Sequence, residues 1–365
     1  MRAVVKSAPQ DGPAGTIITD RGRPVPGPGE VLIKVAAAAI CGTDRHIWHW
    51  DPSIRSSMTL PRIYGHEFCG YIEESGPDVG RTDLEPGNYV SAEMHLVCGH
   101  CRQCRTGQGH ICASTRILGL HGDGAFAEYV KVPATNVVRL NRELVPLAVG
   151  AFLDALGNAV HATQVVDLAG RSVLITGFGP IGAMCAAIAE HCGASTVVVT
   201  DVSDHSLETA RRWAASKSFK NLHAFNAAAS DPKSVREAII DISDGGIDVV
   251  LEMSGAPAAI NFALDVVAMG GFMSMLGLPA GHSLQIDDYT RNVIFKGITI
   301  QGITGRRMYS SWQRMLSLLK AGLDVTWIVQ AEHDSLDEFE VGMGKFDRHE
   351  ALKVIFYPHG RGETQ

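Results

Sequence analysis

The sequence has no long apolar stretch and no excess of positive charge. Although 45% of its 365 residues are hydrophobic, no run reaches the ~18–20 apolar residues that a membrane-spanning helix requires. Its formal net charge of −7 argues against nucleic acid or an anionic membrane as a main partner. The first residues (MRAVVKSAPQDG) lack the apolar core of a secretory signal peptide. We therefore expect a cytoplasmic protein whose eight cysteines stay reduced.

Four of those cysteines fall within one short segment, VCGHCRQCRTGQGHIC. Cys98, Cys101, Cys104 and Cys112 follow a C-x2-C-x2-C-x7-C spacing, and zinc binds such thiolate sets tetrahedrally in closed structural sites. Disulfides are the competing explanation, but the first three cysteines are too close together to pair easily with one another. The spacing favours structural zinc, so a catalytic site must lie elsewhere in the chain.

The chain changes character near its middle. The first 140 or so residues contain short β-branched segments separated by glycine and proline, which predict a barrel-like β domain. The alanine-rich stretch LAVGAFLDALGNAVHAT predicts a helix. After it, RSVLITG, GPIGAMCAAIAEHCG, STVVVTD and SLETARRWAAS alternate between strand and helix patterns. This alternation predicts an α/β domain with a doubly wound parallel sheet.

A glycine motif stands between the first predicted strand and helix of this α/β region. Gly177, Gly179 and Gly182 form G-x-G-x-x-G, the helix begins near Pro180, and Asp201 ends the next strand. Glycines here let the backbone approach a pyrophosphate, which binds at the helix N-terminus. Asp201 would bind the adenosine ribose and repel a 2′-phosphate, which favours NAD over NADP. A helix N-cap is the alternative role for Asp201.

A second candidate metal site lies upstream of the cysteine segment. Cys41 in ICGTDRH and His66 in YGHEFCG, joined by a carboxylate, would form a zinc site with an open position. Glu67 is the natural carboxylate ligand or exchange partner, and Asp154 is a second candidate for the inner or outer shell. An alcohol oxygen on such a metal loses its proton more readily, which permits hydride transfer to a nicotinamide.

Three further residues are candidates for work beside this metal. Thr43 and His46 follow Cys41 closely and can relay a proton to water, because a hydroxyl and a histidine that titrates near neutrality suit that task. A local turn hydroxyl and a solvent-facing ring are the respective alternatives. His95 precedes the cysteine segment and either faces the cleft or is structural.

Taken together, these motifs resemble the zinc-dependent medium-chain alcohol dehydrogenase family over nearly the whole chain. The resemblance is carried by CGTDRHIWHWD, GHEFCGYIEESG, CGHCRQCRTGQGHIC, LGNAVHA, GPIGAMCAA, LEMSGAP and VIFKGITIQGITGRRM. It implies a GroES-like β-rich catalytic domain at 1–150, a Rossmann NAD-binding domain at 151–295, and a return to the catalytic domain at 296–365. It also implies a homotetramer, one catalytic and one structural zinc per subunit, and NAD-dependent oxidation of L-threonine to 2-amino-3-oxobutanoate.

The resemblance also assigns residues by position. Asp154 matches a carboxylate that tunes the catalytic zinc, Thr43 and His46 match the proton relay, and His95 matches a histidine linked to substrate specificity. NAD contacts are implied at Ile181, Asp201, Leu276, Gly277, Leu278, Ile303 and Thr304. Ala155, Leu156 and Thr304 depart from the family's usual residues near the pocket. A polyol, sugar-alcohol or diol dehydrogenase with the same zinc chemistry therefore stays open as the alternative.

Overall fold

The computed structural model describes residues 1–279, 281 and 283–362. These residues form two compact units. The first comprises residues 1–155, 307–310 and the described residues from 328 onward; the second comprises the described residues of 156–306 and 311–327. No helix in the described part of the chain is both long and apolar enough to cross a bilayer.

The elements are numbered here along the chain. The strands are β1 (Arg2–Lys6), β2 (Thr16–Asp20), β3 (Glu30–Ala39), β4 (Arg62–Ile63), β5 (Glu67–Ser75), β6 (Tyr89–Ala92), β7 (His95–Leu96), β8 (Arg116–Ile117), β9 (Tyr129–Pro133), β10 (Val137–Arg139), β11 (Ser172–Thr176), β12 (Thr196–Asp201), β13 (Leu222–Asn226), β14 (Ile247–Glu252), β15 (Val267–Met275), β16 (Thr299–Gly302), β17 (Val329–His333) and β18 (Lys353–Phe356). The α-helices are α1 (Gly42–Trp48), α2 (Pro52–Arg55), α3 (Arg102–Arg105), α4 (Leu147–Gly150), α5 (Leu153–Gln164), α6 (Pro180–His191), α7 (Asp204–Ser216), α8 (Pro232–Ile242), α9 (Pro257–Val266), α10 (Ser310–Lys320) and α11 (Phe339–Asp347).

The first unit is built around a mixed sheet of seven strands. Their order is β10-β6-β5-β3-β18-β17, and β9 also pairs with β3. The strands β17 and β18 come from the end of the chain, and β18 pairs antiparallel with β3 through Ile355 and Ala39. The C-terminal segment is therefore an internal part of this sheet. A smaller sheet, β2-β1-β4, and the β7-β8 pair complete the unit's strands among the described residues.

Aromatic rings from distant segments pack together in the core of the first unit. The rings of Phe126 and Phe339 lie with centroids 4.9 Å apart, and Tyr64 packs edge-on against both at 5.5 and 5.6 Å. Phe356 is fully buried beside them. Because such edge-to-face pairs add to the burial of their large apolar surface, this cluster holds the N-terminal and C-terminal segments in one core.

The second unit contains a fully parallel six-stranded sheet. Its order is β13-β12-β11-β14-β15-β16, and the direction of strand progression reverses between β11 and β14. All five residues of β11 are buried, as expected for a central parallel strand covered on both faces. In open α/β sheets, ligands bind beyond the carboxyl ends of the strands at such a reversal.

The units differ from the predicted segments at residue 296. Residues 296–306 and 311–327 belong to the second unit, since β16 pairs in parallel with β15 and extends that sheet. In the segment VIFKGITIQGI the strand is limited to Thr299–Gly302, because Thr290–Phe295 is helical. Lys296 directly follows this helical segment. Its ammonium donates to the carbonyls of Leu264, Asp265 and Val267, where α9 ends and β15 begins.

Candidate functional site

The four clustered cysteines converge on one point in the first unit. The measured Sγ–Sγ distances are 3.6 Å (98–112), 3.5 Å (101–104), 3.8 Å (101–112) and 4.0 Å (98–104). Zn–S bonds of about 2.3 Å in a tetrahedron place sulfurs about 3.8 Å apart. All four cysteines are free of disulfides. The set therefore has the donors and dimensions of a closed tetrahedral zinc site, as the spacing predicted.

Backbone hydrogen bonds to the sulfurs favour the thiolate form of Cys112. The amide of Cys101 donates to the sulfur of Cys98 at 3.3 Å. A backbone hydrogen bond from Cys98 is the largest influence that lowers the pKa of the Cys112 thiol, to about 6. Desolvation instead raises the pKa of the Cys104 thiol to about 12. Since thiolates are the form that binds zinc, Cys112 is the thiol of this set that is most readily available to the metal.

A second donor set combines Cys41, His66 and Glu67. Cys41 is the N-cap residue of α1, Glu67 is the first residue of β5, and His66 directly precedes it. Their ligand atoms all lie within 4.8 Å of one another. Gly65 permits this approach: its φ is +91°, and a Cβ there would lie 2.6 Å from the Phe126 ring. The backbone before His66 can therefore cross the aromatic core only with glycine at this position.

Two possible donor atoms of this set are buried without a hydrogen-bond partner in the described part of the chain. His66 Nε2 and Glu67 Oε1 have no hydrogen-bond partner among the described residues, although both side chains are almost fully buried. Orphaned buried polar atoms are costly and call for an explanation. A sulfur, an imidazole nitrogen and a carboxylate oxygen are the donors of an open catalytic zinc site, and a metal ion would satisfy both atoms.

The electrostatics of this set also favour a cation. Burial lowers the pKa of His66, but the charges of Asp44 and Cys41 raise it more, to about 10. Burial, assisted by the nearby charge of Asp154, raises the pKa of Glu67 to about 6 against the opposing effect of Lys353. A bound metal cation would take the place of the proton on His66 and balance the negative charge of Asp44 and Cys41.

Asp44 and Lys353 support these donors, and neither is among the residues that the sequence motifs single out. Asp44 Oδ2 accepts the amide of Cys41 at 2.8 Å, while its Oδ1 faces His66 Nδ1 at 3.8 Å. The carboxylate of Asp44 therefore faces Nδ1 of His66, and Nε2 is the ring nitrogen that can bind a metal. The position three residues after the N-cap Cys41 was the available sequence signal. Lys353 is buried and bonded to Glu67 Oε2 at 2.5 Å.

The remaining residues predicted near this site occupy different environments. Asp154, in the first turn of α5, is buried and acts electrostatically on Glu67 and His66, but it is not one of the three clustered donors. Thr43 and His46 both lie on α1. The His46 side chain is 49% exposed, and its Nδ1 contacts Asp51 Oδ2.

His95 is held by a carboxylate that the sequence motifs do not reveal. Glu93 Oε1 accepts a hydrogen bond from the backbone amide of His95 at 3.0 Å. The same oxygen lies 2.6 Å from Nδ1 of the His95 ring. The side-chain amide of Asn136 donates to the backbone carbonyls of Glu93 and His95 at 2.7 and 2.9 Å. The imidazole is therefore buried and fixed in orientation. An acidic residue two positions before a candidate histidine was the only signal in the sequence.

The predicted nucleotide loop lies at the carboxyl end of β11. Gly177 has φ +86°, and a Cβ on Gly182 would lie 2.0 Å from the Gly177 carbonyl, so both positions require glycine. Gly179 is the N-cap of α6, with Pro180 at its first position. A Cβ on Gly179 would meet no atom within 4 Å. The loop therefore presents an open helix N-terminus, as a pyrophosphate site requires. Ile181 follows in the first turn of α6.

Asp201 ends β12 beside this loop. Its carboxylate accepts the backbone amides of Phe178 at 2.6 Å and Ser203 at 2.8 Å. The N-cap of α7 is Ser203, whose hydroxyl accepts the amide of Ser206. Asp201 is thus not the helix cap, and it ties the glycine loop to the neighbouring strand.

The other predicted cofactor residues line the same edge of the parallel sheet. Leu276, Gly277 and Leu278 follow β15, and Ile303 and Thr304 follow β16. A buried carboxylate that the sequence motifs do not reveal, Glu252, organises this edge.

Glu252 Oε1 accepts the amides of Ser254 and Gly255, each at 2.9 Å. A Cβ on Gly277 would lie 2.1 Å from the Gly255 amide nitrogen, so these two loops touch directly. An acidic residue at the end of the apolar run IDVVLE was the sequence signal for Glu252.

Comparison with known proteins agrees with this architecture. The alcohol dehydrogenase GroES-like domain family matches residues 27–142, and the zinc-binding dehydrogenase family matches residues 180–321. Among solved structures, the alcohol dehydrogenase of Thermus sp. ATN1 is 29% identical with a TM-score of 0.83, covering 98% of this chain and 100% of that one. The galactitol-1-phosphate dehydrogenase of Escherichia coli is 25% identical with a TM-score of 0.84 and the same coverage.

Curated relatives extend over almost the full chain. The L-threonine 3-dehydrogenase of Caldanaerobacter subterraneus subsp. tengcongensis is 43% identical over 360 residues, covering 98% of this chain and 99% of the relative. That of Shewanella frigidimarina is 40% identical over 355 residues, covering 97% and 99%. These matches confirm the predicted GroES-like domain and Rossmann fold. The chain therefore belongs to the zinc-dependent medium-chain alcohol dehydrogenase family of oxidoreductases.

Proposed function

We propose that this protein oxidises the secondary alcohol of L-threonine to 2-amino-3-oxobutanoate and transfers a hydride to NAD. The observation that carries the reaction class is the set of Cys41, His66 and Glu67. His66 and Glu67 are buried, and each has a polar atom that lacks a hydrogen-bond partner among the described residues. The substrate rests on the similarity to L-threonine 3-dehydrogenases over nearly the whole chain.

The three donors would bind the metal, and two nearby carboxylates would support them. Cys41, His66 and Glu67 would hold the catalytic zinc, and the four-cysteine set would hold the structural one. Zinc, when bound, acts as a Lewis acid that lowers the pKa of a substrate hydroxyl. Asp44 orients His66, and Asp154 contributes negative charge that offsets the metal.

The proton released from the alcohol leaves through α1. Thr43 would take it at its hydroxyl and pass it to His46. Because Nδ1 of His46 contacts Asp51, Nε2 is the nitrogen that exchanges the proton. The half-exposed ring then delivers it to water.

The second unit would bind NAD along the carboxyl edge of its sheet. The open N-terminus of α6 suits the pyrophosphate, and the Asp201 carboxylate suits the ribose hydroxyls while repelling a 2′-phosphate. NAD, when bound, accepts the hydride. Ile181, the segment 276–278, Ile303 and Thr304 would contact the rest of the cofactor.

Recognition of L-threonine requires a cation for its carboxylate. His95 is the candidate for this part, since Glu93 fixes its buried ring in one orientation. Arg306 is a weaker candidate because it is fully buried within the second unit, with Nη1 directed to Asn158 Oδ1 at 3.3 Å.

A polyol or diol dehydrogenase is the second candidate function. The fold likeness to galactitol-1-phosphate dehydrogenase supports it, together with the departures from the family's usual residues at Ala155, Leu156 and Thr304. Such a pocket would need hydrogen-bonding groups for hydroxyls in place of a carboxylate partner.

The deciding experiment compares kcat/KM for L-threonine, 2,3-butanediol and sorbitol, measured by NADH formation with zinc-loaded protein. We expect L-threonine to be preferred stereospecifically. Turnover of sorbitol or butanediol alone would contradict the substrate and retain the chemistry. Cys41→Ser should abolish turnover, whereas Cys69→Ser should not, because a hydroxyl can keep the bond that Cys69 makes to the Leu147 carbonyl.

We also infer that the enzyme works in the cytoplasm as a homotetramer. Free thiols at all eight cysteines agree with a reducing compartment. Light scattering coupled to size-exclusion chromatography should give the mass of four chains, and a monomer mass would contradict the assembly.

A further inference from the structure

Lys353 is a fully buried lysine beside the candidate catalytic metal site. Its ammonium donates to Glu67 Oε2 at 2.5 Å and to the carbonyl of Ile40 at 2.9 Å. Side-chain exposures are 1% for Lys353 and 0% for Glu67. Because Ile40 precedes Cys41, one ammonium joins the two segments that supply all three donors.

The register between β18 and β3 determines where the Lys353 ammonium lies. Ile40 donates its amide to the Val354 carbonyl at 3.1 Å, and Ile355 pairs with Ala39 on β3. A shift of one residue along β18 would turn Lys353 to the opposite face of the sheet. The pairing of the main chains of β18 and β3 therefore fixes the position of the Lys353 side chain.

The two oxygens of Glu67 consequently have different surroundings. Oε2 is bonded to the ammonium. Oε1 is buried and has no hydrogen-bond partner among the described residues. A carboxylate oxygen of Glu67 lies within 4.8 Å of the ligand atoms of Cys41 and His66. A carboxylate can bind a metal through one oxygen or through both. Here only one is available.

We propose that Lys353 is a positioning residue that restricts Glu67 to binding zinc through a single oxygen, so that a coordination position stays open for the alcohol. This rests on the proposed zinc-dependent oxidation. Catalytic zinc sites use three protein ligands and keep the fourth position for water or substrate. A Glu67 released from Lys353 would supply its second oxygen and its full negative charge to the metal, and so occupy that position.

Lys353→Met tests this with cobalt in place of zinc. Without substrate, the visible absorption of the cobalt protein should weaken, as expected when coordination rises from four to five. Release of zinc to a chelator should slow, and kcat should fall by about 10- to 100-fold, as is typical for loss of an outer partner of a metal ligand. Lys353→Arg, which keeps a cationic donor, should restore much of the wild-type spectrum.

Two further variants separate positioning from simple charge balance. In Lys353→Met combined with Glu67→Gln, the second carboxylate oxygen is gone, so the spectrum should return to the four-coordinate form. Lys6→Met is the matched control, because Lys6 is also fully buried in the first unit and donates to the carbonyls of Gln10 and Trp48. It should lower stability and leave the cobalt spectrum unchanged.

An unchanged cobalt spectrum and unchanged zinc release in folded Lys353→Met would overturn the inference, whatever its activity. If that variant does not fold, Lys353→Gln replaces it, since its amide donates one uncharged hydrogen bond to Oε2. Its spectrum should then lie between the two forms, and a wild-type spectrum would overturn the inference. Because the spectra need no substrate, failure of the wild type to oxidise any tested alcohol would count against the proposed function alone.

Discussion

The carboxylate of Asp201 has two separable effects at the scale of a single residue. It holds the amides of Phe178 and Ser203, and it places a negative charge where an adenosine ribose would bind. The first effect is structural, and under the proposed function the second would set the preference for NAD over NADP. A substitution must be judged against a control that removes only a structural bond.

Asp201→Ala should raise KM for NAD by about 10- to 100-fold, because hydrogen bonds to a charged group contribute about 1.5–3 kcal/mol. Relative use of NADP should improve as the repulsion of its 2′-phosphate disappears. Initial rates with both cofactors measure this.

Asp248→Ala is the control, since Asp248 also accepts a backbone amide, from Ser172 at 2.8 Å. It should lower stability without altering cofactor preference. An unchanged preference in Asp201→Ala would mean that Asp201 acts only on the loop.

At the scale of elements, the cysteine lobe, defined here as residues 95–117, has little structure of its own. It contains the short strands β7 and β8, the one-turn helix α3 and a 3-10 turn. Such short elements cannot nucleate alone, so metal binding at a closed site supplies folding free energy.

Cys104→Ser should therefore reduce the zinc content by one ion per chain and lower the unfolding temperature. Metal analysis and thermal unfolding measure the two effects. Cys192→Ser, which replaces a half-buried thiol of the second unit, should retain the full zinc content. A Cys104→Ser protein with undiminished zinc would contradict a four-sulfur site.

A second element-scale contact joins the end of α1 to α11. His49, the C-cap residue of α1, lies 2.8 Å from Asp11 through Nδ1 and 2.9 Å from Asp347 through Nε2. The hydrogen bond with Asp347 raises the pKa of His49 above its ordinary value of 6.5, although burial opposes it, and Asp11 adds to the rise. The folded state thus binds this proton more tightly than the unfolded chain does.

This contribution should be complete below the unfolded value and should disappear as the pH rises through the higher folded value. We expect His49→Gln to lower the free energy of unfolding by about 0.5–1 kcal/mol near pH 6 and by less in alkaline solution. Urea unfolding across this range measures the difference. The exposed His205→Gln should show no such trend, and a pH-independent loss at residue 49 would point to packing alone.

At the scale of the whole molecule, the last strand completes the core of the first unit. Phe356 on β18 packs against Phe126 and Phe339, with ring centroids 6.3 and 5.3 Å away. The GroES-like domain is therefore incomplete until the end of the chain has joined it.

Phe356→Ala should lower the free energy of unfolding by about 3–5 kcal/mol, the usual range for removal of a buried phenylalanine ring. Phe295→Ala is the matched control, because that ring is 73% exposed, and its effect should be small. Equilibrium unfolding in urea measures both. Equal losses in the two variants would contradict the central place of the C-terminal strand.

Features that depend on a few adjacent residues could be predicted from the amino-acid sequence alone. The spacing of Cys98 to Cys112 and the glycines at 177, 179 and 182 act through local backbone geometry, so both motifs could be recognised without coordinates. The alternation of strands and helices likewise predicted the parallel sheet, because apolar periodicity is local.

The distant side chains that complete the site could not be identified without the folded structure. Lys353 and Ile40 lie 313 positions apart and meet through the pairing of β18 with β3. Asp44 and Glu93 likewise acquire their roles from the buried histidines beside them. Sheet register sets these contacts, and register depends on the packing of the whole core, so no local pattern could specify them.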